Sequence, residues 1–572
     1  MTDLAPLRQI IRDRAHADEA TALAAPLIAS APEGGDVMTI RNPFYTDDVV
    51  GEVRLASNAD IEAALNDATP WAAPVSTRAD VLRKAADIYE ENFGELFALL
   101  AREAGKTVPD AIAELREAVD FSRYYADEAE RLGEMPARGI ITCISPWNFR
   151  LAIFTGQLSA ALAAGNAVLA KPAEATPLVA HRAIELLHQA GVPVAAMQLL
   201  PGLGSTVGAA LTSSPKVDGV TFTGSTATAQ RINRTIAENM APTAPLTAET
   251  GGLNAMIVDS TALPEQAVQD IIISTFQSAG QRCSALRILY LQDDIAKAFQ
   301  QMLFGAMEEL IMDDPWRLSI DVGPVIDQIA QAKIISHIEH ARGEGRMLKQ
   351  LRAPGAGWFV APTALRVNGI TDLEEEIFGP VLHIATFEAD EIDKVIEDIN
   401  AAGFGLTFGL HTRIDSRVED VSRAVRVGNV YVKRNQIGAV VGSQPFGGEG
   451  MSGTGPKAGG PEYVARMSRP EWRSENMKGS AGNHAAIQTA IEAAKPPQDP
   501  LATFDLPGPT GESNRLSTFG RGVVSCLGPG AEAAEAQAIA AREAGCAPVI
   551  AAIEPEALAM LTGFTAAVSW AD

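Results

Sequence analysis

The sequence predicts an α/β protein with two successive parallel-sheet domains and a third, smaller α/β element. Three observations predict it. Apolar strand-like runs alternate with helical patterns across short loops from residue 139 onward, the signature of a parallel sheet with a ligand site at its strand ends. A second stretch of the same texture runs from NAMIVD (254–259) to GNVYVKR (428–434). Beyond about residue 475 turn formers accumulate, and a shorter alternation follows.

Bulk properties narrow the function classes. A chain of 572 residues is too long for one core, so two to four domains are expected. The formal net charge of −25 argues against a nucleic-acid surface, which needs a basic face to neutralise phosphates. No run approaches the roughly 18 uncharged apolar residues of a membrane span. The first residues carry mixed charges without an apolar core, so no signal peptide is expected and the location is read as cytoplasmic. The four cysteines (143, 283, 526 and 546) lack metal-ligand spacing and read as free thiols. Each is by default a small buried hydrophobe unless its chemistry singles it out.

Taken in order, residues 1–35 read as a helical arm, because LRQIIRDRA is apolar at helical spacing. RNPFYTDDVVGEVRLAS (41–57) reads as short strands around a turn. Helical patterns follow in ADIEAALNDA and in the run from Arg78, which stops at Gly105 as a glycine-capped helix would. GIITCISPW is an apolar strand, IFTGQLSAALAAG a helix, NAVLAKPA a strand and PLVAHRAIELLHQAG a helix. MQLLPG and GVTFTGS continue the strands. Past the linker, Arg521-Gly-Val-Val-Ser-Cys-Leu-Gly-Pro529 echoes Arg138-Gly-Ile-Ile-Thr-Cys-Ile-Ser-Pro146, and each precedes an Ala-rich helix. This reads as a degenerate partial copy. It lacks counterparts of Trp147, Asn148 and Lys171, and Cys526 aligns with Cys143 rather than Cys283. The copy is therefore expected to be structural. The chain ends at SWAD, which reads as mid-fold.

Several short segments carry chemistry only in combination. Asn148 in Ser145-Pro146-Trp147-Asn148-Phe149 offers an amide donor to an oxyanion, though such an Asn is most often a turn residue. Phe222-Thr223-Gly224-Ser225-Thr226 is a strand-to-helix turn that can meet a phosphate, and alone it is common. Ala170-Lys171-Pro172-Ala173-Glu174 closes another strand. Glu249-Thr250-Gly251-Gly252 precedes Gly280-Gln281-Arg282-Cys283-Ser284, with Cys283 lying 34 residues after Glu249.

In order, PWNF, KPAE, FTGS, ETGG, GQRC, Glu376-Ile-Phe-Gly-Pro380 and Pro445-Phe-Gly-Gly448 resemble the motifs of the aldehyde dehydrogenase superfamily over about residues 40–470. AETGGLNAMIVDS, SAGQRCSALR, GLTFGLHTRID and IGAVVGSQPFGGEGMSGTGPKAGGP resemble more closely its glutamate-semialdehyde (1-pyrroline-5-carboxylate) dehydrogenase branch, as found in bifunctional proline-utilisation proteins. The resemblance implies a Rossmann-like NAD-binding domain (36–248), a catalytic domain (249–435), an anchor loop and oligomerisation segment (436–474), and a linker with the Rossmann-like repeat (475–572). It implies Cys283 as nucleophile, Asn148 with the Cys283 N–H as oxyanion donors, and Glu249 as general base. For NAD it implies Lys171 and Glu174 at the adenosine ribose and Ser225 at the pyrophosphate, with Ser145, Trp147, Gly204 and Gly224 also binding the cofactor. Glu376 would meet the nicotinamide ribose and Phe378 the nicotinamide. A carboxylate at position 174 would repel a 2′-phosphate and favour NAD over NADP. For an amino-acid aldehyde it implies Ser284 and the Gly438–Ala439 backbone at the carboxylate, with Phe446 along the methylenes. Glu117 either faces the ammonium group or is a solvated helix residue.

A homodimer is expected, with a proline dehydrogenase domain or protein as a possible partner, and no metal. The chain is either a stand-alone enzyme or a truncated bifunctional one. Two departures stand out: Arg150 where the family has Pro, which places a charge two residues from Asn148 and leaves the loop geometry open, and Lys433 where Asn is usual. The short RLGEMPAR connection (131–138) is expected to alter oligomer contacts. Dehydrogenation of another carboxylated semialdehyde is the alternative activity; a decayed scaffold or repressor is disfavoured by the intact Cys283, Asn148, Glu249 and Glu376.

Overall fold

Ala22–Ala24 (β1), Val37–Arg41 (β2) and Val49–Arg54 (β3) form a small sheet in the order β1-β3-β2, with β1 parallel and β2 antiparallel to β3. The computed structural model describes residues 22–469, 483–551, 553 and 555–569. Much of the expected helical arm, residues 1–21, lies outside the described residues. The rest is corrected: residues 22–35 are strand, bridge and bends. Helix propensity here is a weak prior that tertiary pairing overrides. Ala22 pairs with Gly51, Leu27 exchanges backbone hydrogen bonds with Leu199 at 3.0 and 2.9 Å, and Ala24 and Ile28 are buried.

The helix Asn58–Asp67 begins at a capping box between Ser57 and Asp60. The helical run from Arg78 forms as two helices, Val75–Glu91 and Phe93–Ala104, meeting at Asn92, whose side-chain amide donates to the Ile88 carbonyl at 2.8 Å. Gly105 closes the second at φ 65°, a left-handed position that glycine adopts without a Cβ penalty. Thr107 then caps the long helix Val108–Leu132.

Strands β4 (Ile140–Ile144), β5 (Ala167–Lys171), β6 (Met197–Leu199), β7 (Gly219–Gly224) and β8 (Leu246–Thr250) form a fully parallel sheet in the order β6-β5-β4-β7-β8. The chain winds one way from β4 and then the other, so a crevice opens between the carboxyl ends of β4 and β7. The second sheet contains β9 (Ala255–Val258), β10 (Ile288–Gln292), β11 (Met347–Gln350), β12 (Thr363–Arg366) and β13 (Val381–Phe387). A short strand β14 (Phe404–Gly405) follows, then β15 (Thr407–His411), β16 (Asn429–Val432) and β17 (Glu449–Gly450). The order is β11-β12-β13-β10-β9-β15-β16, parallel except for β11, while β14 and β17 pair as a separate antiparallel ribbon. Both sheets bury both faces, as their near-continuous apolar strands require.

The chain divides into two units between Arg469 and Pro470. Residues 470–482, which include the start of the linker expected from residue 475, lie outside the described residues. The helix His484–Ala493 is followed by a hairpin of β18 (Ala502–Leu506) and β19 (Asn514–Thr518). Then β20 (Val523–Gly528), the helix Gly530–Glu543, β21 (Ala547–Ile550) and β22 (Ala566–Ser569) form a parallel sheet ordered β21-β20-β22. Cys143 on β4 and Cys526 on β20 occupy the same place in a strand–helix–parallel-strand unit, and both are fully buried. Among the described residues no helix is long and apolar enough to cross a membrane.

Candidate active site

The loop that carries Cys283 begins where the helix Pro264–Phe276 ends. Ser278, Ala279 and Gly280 all take positive φ (56°, 54° and 68°), a run that costs L-residues about 1–2 kcal/mol each unless the surroundings hold it. Gly280 is forced, since a Cβ there would meet the Gly379 carbonyl oxygen at 2.2 Å. What holds the loop is a set of buried polar side chains. Asn254 Nδ2 donates to the carbonyls of Cys283 (2.6 Å) and Ala285 (2.9 Å). Arg282 is buried in an ion pair with Asp110 at 2.9 Å and also donates to Ser278 Oγ and the Ile437 carbonyl. Cys283 is left half-buried at the surface of a cavity.

That cavity has a volume of about 350 Å³, the size of a small-molecule site. Seven residues singled out from sequence line it: Glu117, Glu249, Cys283, Ser284, Gly438, Ala439 and Phe446. Of the two readings of Glu117, the structure supports the one that faces the cavity: it is half-buried, and burial pushes it up to about 7. Asn148 lies instead in a small adjoining cleft with Trp147, Lys106, Ser278 and Gln281. Phe446 is fixed by a two-way backbone bridge to Ala458, which orders the loop carrying Gly438 and Ala439 against helix Val108–Leu132 through Tyr125 and Gly459.

Glu249 lies one residue before the end of β8, with one carboxylate oxygen accepting from the Gly448 N–H at 2.8 Å and the other buried without a partner. Burial pushes it up to about 8, opposed by the Gly448 bond and the nearby Lys457 ammonium. Gly447 and Gly453 pack where a Cβ would come within 3.0 Å of its oxygens, so only glycines admit the carboxylate here. Burial also pushes the Cys283 thiol up to about 12, aided by Glu376, Glu249 and Glu117. The arrangement therefore sets a cysteine held as thiol in the same cavity as a carboxyl group whose shifted pKa lies near neutrality.

Sequence reasoning missed the charged layer beneath Phe149. Lys106 lies 4.6 Å and Arg282 4.7 Å from its ring centre. Lys106 is paired at 3.9 Å with Glu114, whose other oxygen accepts from the Leu151 N–H. Arg150 belongs to this layer. It is 2% exposed, and it donates to the Trp147 carbonyl at 2.7 Å and the Leu100 carbonyl at 3.3 Å. Where the sequence leaves the loop geometry open, Arg150 closes the turn after Trp147 from within. No local pattern could reveal the layer, since Asp110 and Arg282 meet across 172 residues.

On the far side, Lys171 Nζ lies 3.8 Å from Glu174, which also accepts from the Gly204 N–H. Ser225 caps the 14-residue helix Thr226–Asn239 just after Gly224 ends β7, and its N-terminus is exposed. Ser145 is buried after β4. Glu376 pairs with Arg287 at 2.9 Å, and Phe378 stands edge-on to Trp147 at 5.5 Å. An exposed carboxylate, a neighbouring ammonium and an exposed helix N-terminus at the carboxyl ends of one parallel sheet fit a dinucleotide. Among the described residues no cluster suits a metal ion.

Comparison with known proteins agrees. A model described as "Aldehyde dehydrogenase family" matches residues 30–472. The bifunctional protein PutA of Klebsiella aerogenes is 46% identical over 570 residues, covering 91% of this chain and 43% of that protein. The chain thus spans less than half the length of that relative. A 1-pyrroline-5-carboxylate dehydrogenase of Bacillus mycoides (strain KBAB4) is 35% identical over 466 residues, covering 76% of this chain and 89% of the relative. The crystal structure of a 1-pyrroline-5-carboxylate dehydrogenase from Thermus with bound NAD superposes with a TM-score of 0.77 at 32% identity, covering 82% of this chain and 96% of that one.

Proposed function

The chain belongs to the aldehyde dehydrogenase family, and from that premise we propose that it oxidises L-glutamate 5-semialdehyde, the open form of 1-pyrroline-5-carboxylate, to L-glutamate. NAD is the oxidant, and the step belongs to proline degradation. The observation that carries the reading is the convergence of Cys283, Glu249, Ser284, Gly438, Ala439 and Phe446 on one cavity.

Cys283 Sγ gives its proton to water and attacks the aldehyde carbon, forming a thiohemiacetal whose oxyanion is met by the Cys283 N–H and Asn148. Removing one such donor typically raises the barrier by about 2.7–4 kcal/mol. NAD, when bound by Lys171, Glu174, Ser225 and Glu376, supplies the hydride acceptor, and Cys283 is left as a thioester. Glu249 then takes a proton from water, the water oxygen bonds to the acyl carbon, and the carbon–sulfur bond breaks to release glutamate. Ser284 and the Gly438–Ala439 backbone hold the substrate carboxylate, while Glu117 answers its ammonium group. A homodimer, a cytoplasmic location and substrate supply by a proline dehydrogenase domain or protein complete the proposal.

The test is NADH formation with 1-pyrroline-5-carboxylate beside a panel of other carboxylated semialdehydes. Turnover is expected in the parent and lost in Cys283→Ala, while NAD binding survives. An inactive parent, or an equally active variant, sinks the mechanism; preference for another semialdehyde overturns the substrate alone.

A further inference from the structure

Arg287 joins two parts of the site that lie far apart in sequence. It is 1% exposed, and all five of its N–H groups are used. Nη1 donates to the carbonyls of Gly280 (2.8 Å) and Gly379 (3.4 Å). Nη2 donates to the Arg282 carbonyl at 2.9 Å and, together with Nε, to Glu376 Oε1 at 2.9 and 3.1 Å. Two of the acceptors, Gly280 and Arg282, belong to the loop that ends in Cys283. The other two, Glu376 and Gly379, flank Phe378, whose ring centre lies 5.1 Å from the guanidinium. The two segments also touch directly, because Gly280 packs against Gly379 with no room for a Cβ.

The main chain of Arg287 is itself fixed. Its N–H donates to the Asn254 carbonyl at 2.9 Å, and its carbonyl accepts from the backbone N–H and the ring Nδ1 of His383. Asn254 is the residue that also bonds the Cys283 carbonyl. Only a planar fork can serve four acceptors at once; an ammonium is a point charge with three donors. Any ligand hydroxyl that donates to Glu376 draws on the carboxylate Arg287 is bonded to, and so alters its hold on the two carbonyls before Cys283.

Resting on the reading that Glu376 meets the cofactor, we propose that Arg287 is a positioning residue that couples occupancy of the dinucleotide site to the placement of Cys283. The coupling is reciprocal: whatever NAD does to the nucleophile loop, locking that loop does to NAD affinity.

The experiment measures iodoacetamide alkylation of Cys283, read on its own peptide by mass spectrometry, with and without saturating NAD. It uses the parent, Arg287→Lys and Glu376→Gln, with folding checked by circular dichroism and NAD binding by calorimetry. In the parent, NAD should change the alkylation rate by about fivefold or more. In Arg287→Lys, NAD should still bind, yet change the rate by less than about twofold, and kcat should fall more than the KM for NAD rises. Glu376→Gln, which keeps the shape but weakens the pair, should also reduce the NAD effect. A folded Arg287→Lys that keeps the parent's NAD effect overturns the proposal. If that variant does not fold, a full effect in Glu376→Gln overturns it. A parent that forms NADH but shows no NAD effect on alkylation also overturns the coupling and leaves the catalytic reading standing, whereas a parent that forms no NADH overturns that reading instead.

Discussion

At the scale of single residues, the two departures noted in the sequence have opposite physical meanings. Arg150 is integrated: its guanidinium bonds the Trp147 and Leu100 carbonyls inside a layer that also holds Glu103 and Glu114. Lys433 is not so well suited. It is exposed and follows β16 at φ 57°, where its N–H donates to the Leu410 carbonyl and its own carbonyl accepts from Gln266. Asparagine tolerates the left-handed region far better than lysine, which explains why Asn is usual there in physical rather than familial terms. Lys433→Asn is therefore expected to stabilise the chain by roughly 0.5–1 kcal/mol, and Lys433→Ala, which keeps the Cβ, to change little. Denaturant unfolding of the three proteins checks this; an equal gain in Lys433→Ala would assign the effect to something other than backbone strain.

At the scale of elements, the strands of both sheets were legible because parallel strands buried on both faces read as short apolar runs, as GIITCIS and GVTFTGS show. The break at Asn92 was not, because the apolar periodicity continues through it. In the site, Cys283, Glu249 and the loop carrying Gly438, Ala439 and Phe446 could be found as contiguous motifs. Arg287, Asn254, Lys106 and Asp110 act through partners distant in sequence, and their roles exist only once the sheets bring those partners together.

One such pairing ties the helix Gln328–Gly343 to β13. His383 Nδ1 lies 2.9 Å from the Arg287 carbonyl, so it carries the hydrogen, and Nε2 must accept from His337 Nε2 at 2.9 Å. A proton added to His383 would set two N–H groups against each other. Burial, with the charges of Arg287 and Arg346 nearby, pushes His383 down to about 3, and burial pushes His411 down to about 4. The unfolded chain takes up these protons near pH 6.5 while the folded chain does not, so stability is full above that pH and falls as pH drops toward 4. In His383→Phe the loss of thermal midpoint between pH 7 and pH 4.5 should be smaller than in the parent. Identical slopes would mean that His383 is not a source of the acid sensitivity.

At the scale of the whole chain, every residue assigned to the site lies within the first unit, while the apolar clusters of the second unit are built from residues 487–568. What acts on the site from a distance is charge. The chain carries −25, whereas the proposed substrate, 1-pyrroline-5-carboxylate, and NAD each bear net negative charge, so the summed field opposes their approach. Against it stand local attractions, Lys171 beside Glu174 and the exposed N-terminus of the helix Thr226–Asn239. The two differ in range. At 0.01 M salt the screening length is about 30 Å and the whole negative surface is felt; at 0.15 M it is about 8 Å and only neighbouring charges count. Raising salt between these limits should therefore remove repulsion before it weakens the local attraction, and kcat/KM for NAD should rise. Steady-state rates across that range, at constant pH and saturating aldehyde, decide the matter. A fall in kcat/KM would mean that Lys171 and the helix terminus outweigh the net charge even at long screening length, and the Lys171→Met variant should then abolish the fall.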